Sequence, residues 1–259
     1  MLENLQIEKI ITLARLAGIE VMKVYKEPIK VEEKADHSPL TLADTRSNEI
    51  IIKGLKEFFP DVPILSEETK QVDYSVRKNW DYFWCIDPLD GTKEFIKHNG
   101  EFTINIALIH NTQPVASVLF APALNKMYYA AKGLGSFFVD EKGNSIKLTS
   151  QPNYLSKQKI NVVASRSHLT DEVLQFVEDL KKQGKEVEFV SSGSSLKFCL
   201  VAEGKADVYP RFGPTMEWDT AAGQAIVECA GGKVLQHKTA NPLSYNKENL
   251  LNPFFVVEF

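Results

Sequence analysis

The sequence predicts an α/β protein of the α+β kind, with an antiparallel sheet in its first half and a mixed sheet in its second. Three observations carry this prediction. Apolar residues near the start recur at helical spacing, short strand-like runs crowd between residues 63 and 148, and beyond residue 155 strands and helices alternate. The chain has 259 residues, room for one large domain or two small ones.

Each element has its own justification. Residues 3–25 place Ile7, Ile10, Ile11, Ala14, Ala17, Val21 and Val24 on one face, as an amphipathic helix does. A second helix is expected over residues 41–59, with Thr41 and Asp44 capping its first turn and Pro60 ending it. Its apolar stripe is Ile50, Ile51, Leu55, Phe58 and Phe59. Strands follow at 63–65, 82–86, 102–108, 115–120, 126–131, 135–139 and 146–148, each bounded by Asn, Pro, Gly or Asp. In the second half the expected strands are 160–164, 187–190, 206–209, 233–236 and 254–257. The expected helices there are 170–183, 195–203 and 218–230, closed by Gly184, Gly204 and Gly231-Gly232. Residues 1–152 are expected to form one half and 153–259 the other, with the join near Gln151-Pro152-Asn153.

Composition excludes several classes. Thirty Lys+Arg against 34 Asp+Glu leave a net charge of −4, a poor basis for nonspecific nucleic-acid binding. The three cysteines, Cys85, Cys199 and Cys229, are widely spaced, which fits neither a disulfide framework nor a zinc site and suits a reducing compartment. The first residues carry acids and no long apolar core, and no stretch reaches the ~20 apolar residues of a membrane helix. A cytoplasmic location is expected, with a peripheral position on the inner membrane face left open, and the sequence is silent on oligomeric state.

The chemistry concentrates in four acid-bearing turns at the ends of expected elements. The strand at 82–86 runs into Asp87-Pro88-Leu89-Asp90-Gly91-Thr92. Two carboxylates and the Leu89 carbonyl there make an oxygen cage suited to a hard cation. Gly91 allows close approach of a ligand, and a helix from Thr92 would present amides to a phosphate. The other three are Ser66-Glu67-Glu68, Trp218-Asp219-Thr220-Ala221-Ala222-Gly223, and Ser38-Pro39-Leu40-Thr41-Leu42-Ala43-Asp44. Each alone fits a surface turn or a helix N-cap equally well. There is no GxxxxGK[ST] loop, GxGxxG turn, GxSxG elbow or HExxH pair, and the five histidines are scattered. Asp87 and Asp90 are separated by two residues, whereas phosphatases that form an aspartyl-phosphate typically separate their acids by one.

Taken together, the motifs around Glu67, Asp87 and Asp219 resemble the inositol monophosphatase superfamily of Mg2+-dependent, Li+-sensitive phosphatases. Asn99-Gly100-Glu101-Phe102-Thr103, Ser165-Arg166-Ser167-His168, Gly193-Ser194-Ser195-Leu196-Lys197-Phe198-Cys199 and Tyr209-Pro210-Arg211-Phe212-Gly213-Pro214-Thr215 resemble its bacterial CysQ-type branch, the 3′(2′),5′-bisphosphate nucleotidases. The resemblance implies a layered α/β/α/β/α sandwich. It implies two or three Mg2+ ions held by Glu67, Asp87, the Leu89 carbonyl, Asp90 and Asp219. Thr92, paired with Asp44, would orient the attacking water beside Glu67. Gly91, Thr92 and Asp219 would contact the reacting phosphate side of the substrate. Ser165, His168, Ser194, Lys197 and Arg211 would line the nucleotide pocket. Lys34, Glu68 and Lys93 are further polar candidates. The implied activity is removal of the 3′-phosphate from adenosine 3′,5′-bisphosphate, with its phosphosulfate analogue as a second substrate, in sulfur metabolism. The alternatives are an inositol monophosphatase or sugar bisphosphatase of the same superfamily, or a non-catalytic sensor of nucleotide bisphosphates.

Overall fold

The computed structural model describes residues 5–29, 31–33, 39–140, 142–164 and 170–259. The first half contributes α1 (Ile7–Tyr25), β1 (Val31–Glu33), β2 (Pro39–Thr41), α2 (Leu42–Phe58), β3 (Ile64–Ser66), α3 (Tyr74–Arg77), β4 (Tyr82–Asp90) and α4 (Thr92–Ile96). The meander β5 (Thr103–His110), β6 (Gln113–Ala121), β7 (Lys126–Ala131), β8 (Gly135–Val139) and β9 (Ser145–Leu148) follows. The second half contributes β10 (Lys159–Ala164), α5 (Asp171–Lys182), β11 (Glu186–Ser191), α6 (Leu196–Ala202), β12 (Val208–Arg211), α7 (Glu217–Cys229), β13 (Lys233–Gln236) and β14 (Phe255–Glu258).

β4 explains the layering. Its apolar run shows no hydrophobic-polar alternation because both faces are buried: Phe83 and Cys85 lie in one core, Trp84 and Ile86 in another. α1 and α2 cover the outer face of its sheet through Ile10, Ala14, Ala17, Val21, Ile51 and Leu55. α6 and α7 cover the inner face, and beyond them Val163, Tyr209, Phe255 and Val257 of a second sheet close the same core. A third core joins the far face of that second sheet, through Ile160, Val162, Val208 and Val256, to Val173, Val177 and Leu180 of α5. The order is helix, sheet, helix, sheet, helix.

The first sheet runs β3-β4-β5-β6-β7-β8-β9, antiparallel except for the parallel edge pair β3 and β4. The second runs β11-β10-β12-β14-β13, with β10 parallel to β11 and β12, and β14 antiparallel to β12 and β13. α7 is rich in small residues because it lies between the sheets. A Cβ on Gly223 would stand 2.4 Å from the Phe198 ring, and the Ser117 hydroxyl donates to the Ala222 carbonyl at 2.9 Å.

Three local features depart from the sequence expectation. The strand expected over 206–209 begins at Val208, because the N–H groups of Lys205 and Ala206 still close α6 on the Leu200 carbonyl. A small β1–β2 ribbon and the single turn α3 carry too few residues to show a period. Most important, β4 does not stop at Ile86 but runs through to Asp90.

Candidate active site

A β-bulge builds the centre of the site. In a regular strand, residues three apart point to opposite faces. Asp87 pairs with Asn105 while Asp90 pairs with Thr103, so three steps on β4 match two on β5. The extra residue returns Asp90 to the face Asp87 occupies. The bulge is held from both sides: the Leu89 N–H donates to Asp87 Oδ1 at 3.0 Å, and the Ser47 hydroxyl of α2 donates to the Pro88 carbonyl at 2.7 Å.

The other acids arrive from neighbouring elements. Glu67 follows β3, where its N–H donates to the Ile86 carbonyl at 3.2 Å and the preceding Ser66 hydroxyl donates to Asn48 of α2 at 2.7 Å. Asp219 sits in the first turn of α7, and its carboxylate accepts the Met216 N–H at 2.8 Å. Oxygens of Glu67, Asp87 and Asp219 lie within 4.8 Å of one another. Burial, then repulsion from Glu67, Asp90 and Asp219, pushes the Asp87 carboxyl well above the usual carboxylate range. Burial and Asp90 do the same to Asp219, against the pull of the Met216 N–H. Three crowded carboxylates with no sulfur or imidazole among them fit a hard divalent cation, whose charge would offset that repulsion.

Asp90 stands at the edge of this group. Its Oδ2 accepts from the Ser194 hydroxyl at 2.8 Å and from the Ser195 N–H and hydroxyl, both at 2.6 Å. Gly91, at φ +90°, turns the chain into α4 in a backbone conformation that side chains disfavour. Thr92 Oγ1 donates to Asp44 Oδ1 at 3.2 Å. Asp44 is buried, and its other oxygen caps α2 on the Thr41 N–H and hydroxyl at 2.8 and 2.6 Å. The third residue of α2, which closes its capping box, and the Thr92 partner are thus one residue.

A cleft of about 420 Å³ runs past Glu67, Asp87, Leu89, Asp90, Thr92 and Asp219. A narrower pocket of about 150 Å³ adjoins it, sharing Asp90, Gly91, Lys93, Glu94, Thr215 and Asp219, and continues to Ser194, Lys197, Tyr209 and Arg211. Lys197 is a buried residue of α6. It is 5% exposed, donates to the Ser194 carbonyl at 2.6 Å and lies 5.6 Å from the Tyr209 ring centre. Burial lowers its amine to about 8, while Asp90 pulls the other way. Arg211 donates to the Pro214 carbonyl at 3.0 Å, and its Nε is buried without a partner among the described residues. Ser165, His168, Arg166 and Lys34 lie outside the described residues. Thr103 (its hydroxyl 2.6 Å from that of Ser194), Ser195 and Tyr209 show no signal in the sequence beyond membership of the quoted motifs.

Five alternating layers, with an acid cluster where two strands of one sheet meet the central helices, define an architectural class. A model of the inositol monophosphatase family matches residues 3–253, and the chain belongs to that family. It is 47% identical over 256 residues to the 3′(2′),5′-bisphosphate nucleotidase CysQ of Salmonella typhimurium, covering 97% of this chain and 98% of that one. The crystal structure of CysQ from Bacteroides thetaiotaomicron superposes with a TM-score of 0.85 at 47% identity, covering 98% of each chain. An inositol monophosphatase from Thermotoga maritima superposes at 0.78 with 26% identity, covering 98% of this chain and 91% of that one. No helix among the described residues is long and apolar enough to cross a membrane.

Proposed function

We propose that the chain is a divalent-metal-dependent 3′(2′),5′-bisphosphate nucleotidase that hydrolyses the 3′-phosphate of adenosine 3′,5′-bisphosphate to AMP and phosphate. One observation carries the choice of substrate. The carboxylate cleft opens, through shared walls that include Lys93, into a pocket whose far part adds two cationic side chains, Lys197 and Arg211, one of them buried. A substrate with one phosphate needs only the cleft, whereas a second phosphate, retained in the product, gives the two cations charge-assisted partners. The nucleotidase names of the relatives support the same reading.

Glu67, Asp87, Asp219, the Leu89 carbonyl and Asp90 would hold the metal. Mg2+ there would supply Lewis-acid charge to the phosphate oxygens and lower the pKa of a water. The chain's own residues then do the following. The Thr92 hydroxyl donates a hydrogen bond to Asp44, which leaves its lone pairs turned to the attacking water. Glu67 shares that water as the proton acceptor. The Gly91 and Thr92 N–H groups take phosphate oxygens. Asp90, braced by Ser194 and Ser195, keeps the cleft and pocket at a fixed spacing. In this reading the first half supplies most metal ligands and the second half the nucleotide pocket.

The test is phosphate release from adenosine 3′,5′-bisphosphate and from inositol 1-phosphate, with Mg2+ and with a chelator. Mg2+-dependent turnover with a much higher kcat/KM for the bisphosphate is expected. Preference for inositol phosphate would overturn the substrate, activity surviving chelation would overturn the metal role, and tight binding of the bisphosphate without turnover would make the chain a sensor.

A further inference from the structure

Ser195 has no role in the site as drawn above beyond contact with Asp90, yet it also reaches the backbone of Asp219. It is 2% exposed and precedes α6. Asn105 Nδ2 donates to its hydroxyl oxygen at 3.0 Å. With that oxygen already accepting, the single hydroxyl proton is directed to Asp90 Oδ2 at 2.6 Å or to the Asp219 backbone carbonyl at 2.7 Å. One acceptor belongs to β4 and the other to the first turn of α7. Asn105 is itself the cross-strand partner of Asp87, so the chain Asn105, Ser195, then Asp90 or Asp219 connects the Asp87–Asp90 turn with the Asp219 turn.

We propose that Ser195 is a positioning residue, which holds Asp90 through its N–H and the start of α7 through its hydroxyl, oriented by Asn105, at the separation at which the acid cluster binds a divalent cation. The proposal rests on the metal reading above. Groups that orient metal ligands from behind typically alter metal affinity by about 10- to 100-fold when removed. The Ser195 N–H to Asp90 bond, also 2.6 Å, survives a side-chain change, so Asp90 stays anchored and only the link to Asp219 and the fine placement are lost.

The test is Mn2+ titration followed by electron paramagnetic resonance of the free ion, on the unaltered chain, Ser195→Ala and Ser195→Thr, with metal-free melting curves beside it. Ser195→Ala is expected to bind Mn2+ about 10- to 100-fold more weakly while melting within a few degrees of the unaltered chain, and Ser195→Thr, which keeps the hydroxyl, to restore most of the affinity. Ser195→Ala binding within about threefold of the unaltered chain would overturn the proposal, as would equal losses in both variants. If Ser195→Ala does not fold, Ser195→Cys, close in shape with a weak donor, takes its place in the same comparison. Failure of the unaltered chain to bind Mn2+ would instead remove the metal reading, and this proposal with it.

Discussion

Replacing Asp87 by Asn should abolish turnover and yet raise the melting temperature of the metal-free chain. The Leu89 N–H bond needs only an acceptor oxygen, which Asn retains, so the local turn survives. The charge does not. Oxygens of Asp87, Glu67 and Asp219 lie within 4.8 Å, and two unit charges at that separation repel by about 3.5 kcal/mol at an effective dielectric of ~20. Proton uptake caps the repulsion, since a crowded buried carboxyl binds a proton instead of ionising, and a relief of about 2 kcal/mol remains near neutrality. In a chain of this size that is a rise of roughly 4–8 °C. The assay is thermal unfolding in EDTA and in excess Mg2+. In EDTA the variant should melt above the unaltered chain, and Mg2+ should reverse the order by stabilising only the latter. The sign with pH follows. Asp87 and Asp219 are raised in the folded state, so the metal-free fold loses stability as pH rises from the ordinary carboxylate value of 3.8 through the raised one, and is level above it. A variant that melts lower in EDTA, or gains as much from Mg2+ as the unaltered chain, would refute the electrostatic account.

Thr92→Val removes the hydroxyl that meets Asp44 and should lower kcat by about 10²- to 10⁴-fold, while Thr92→Ser stays within about tenfold; steady-state rates at saturating Mg2+ decide. Lys197→Met should raise KM for a two-phosphate substrate about 10- to 100-fold with little change for a one-phosphate substrate. Because the Lys197 amine is lowered to about 8, its charge is lost as pH rises through that value. KM for the two-phosphate substrate should therefore climb above about pH 8 in the unaltered chain and not in the variant. Lys247→Met leaves the fully buried Glu217 without its cation at 2.7 Å, although the Asn246 and Lys247 N–H groups still reach it. A loss of about 1.5–3 kcal/mol, that of one hydrogen bond to a charged group, is expected in urea unfolding, and an unchanged midpoint would show that those two donors suffice.

The acid-bearing turns were legible because their chemistry is local. Asp-Pro-Leu-Asp-Gly-Thr announces an oxygen-rich turn wherever it occurs, and the Thr41 and Asp44 spacing announces a cap, which the structure shows. The β4 run was legible as a buried strand, although its end was not. Pro88 and the Asp residues read as a terminator, while pairing with β5 carries the strand through them as a bulge. Ser195 and Thr103 left no distinct signal, because a serine or threonine hydroxyl means nothing until its partner is known. Apart from the family resemblance, Lys197 reads from sequence as an ordinary charge on a helix. In the fold it is buried, with the Tyr209 ring of the second sheet beside it.

The sequence by itself determined which side chains could do the chemistry and which local turns carry them, since hydrogen-bonding capacity, charge and turn preference belong to each residue and its near neighbours. That residues 67, 87 and 219 converge within 4.8 Å was decided by the tertiary structure alone. The separation depends on β3 lying parallel beside β4 and on the small-residue helix α7 lying close under the sheet. Both are long-range packing outcomes, selected by the burial of three cores together, and no window along the chain contains them.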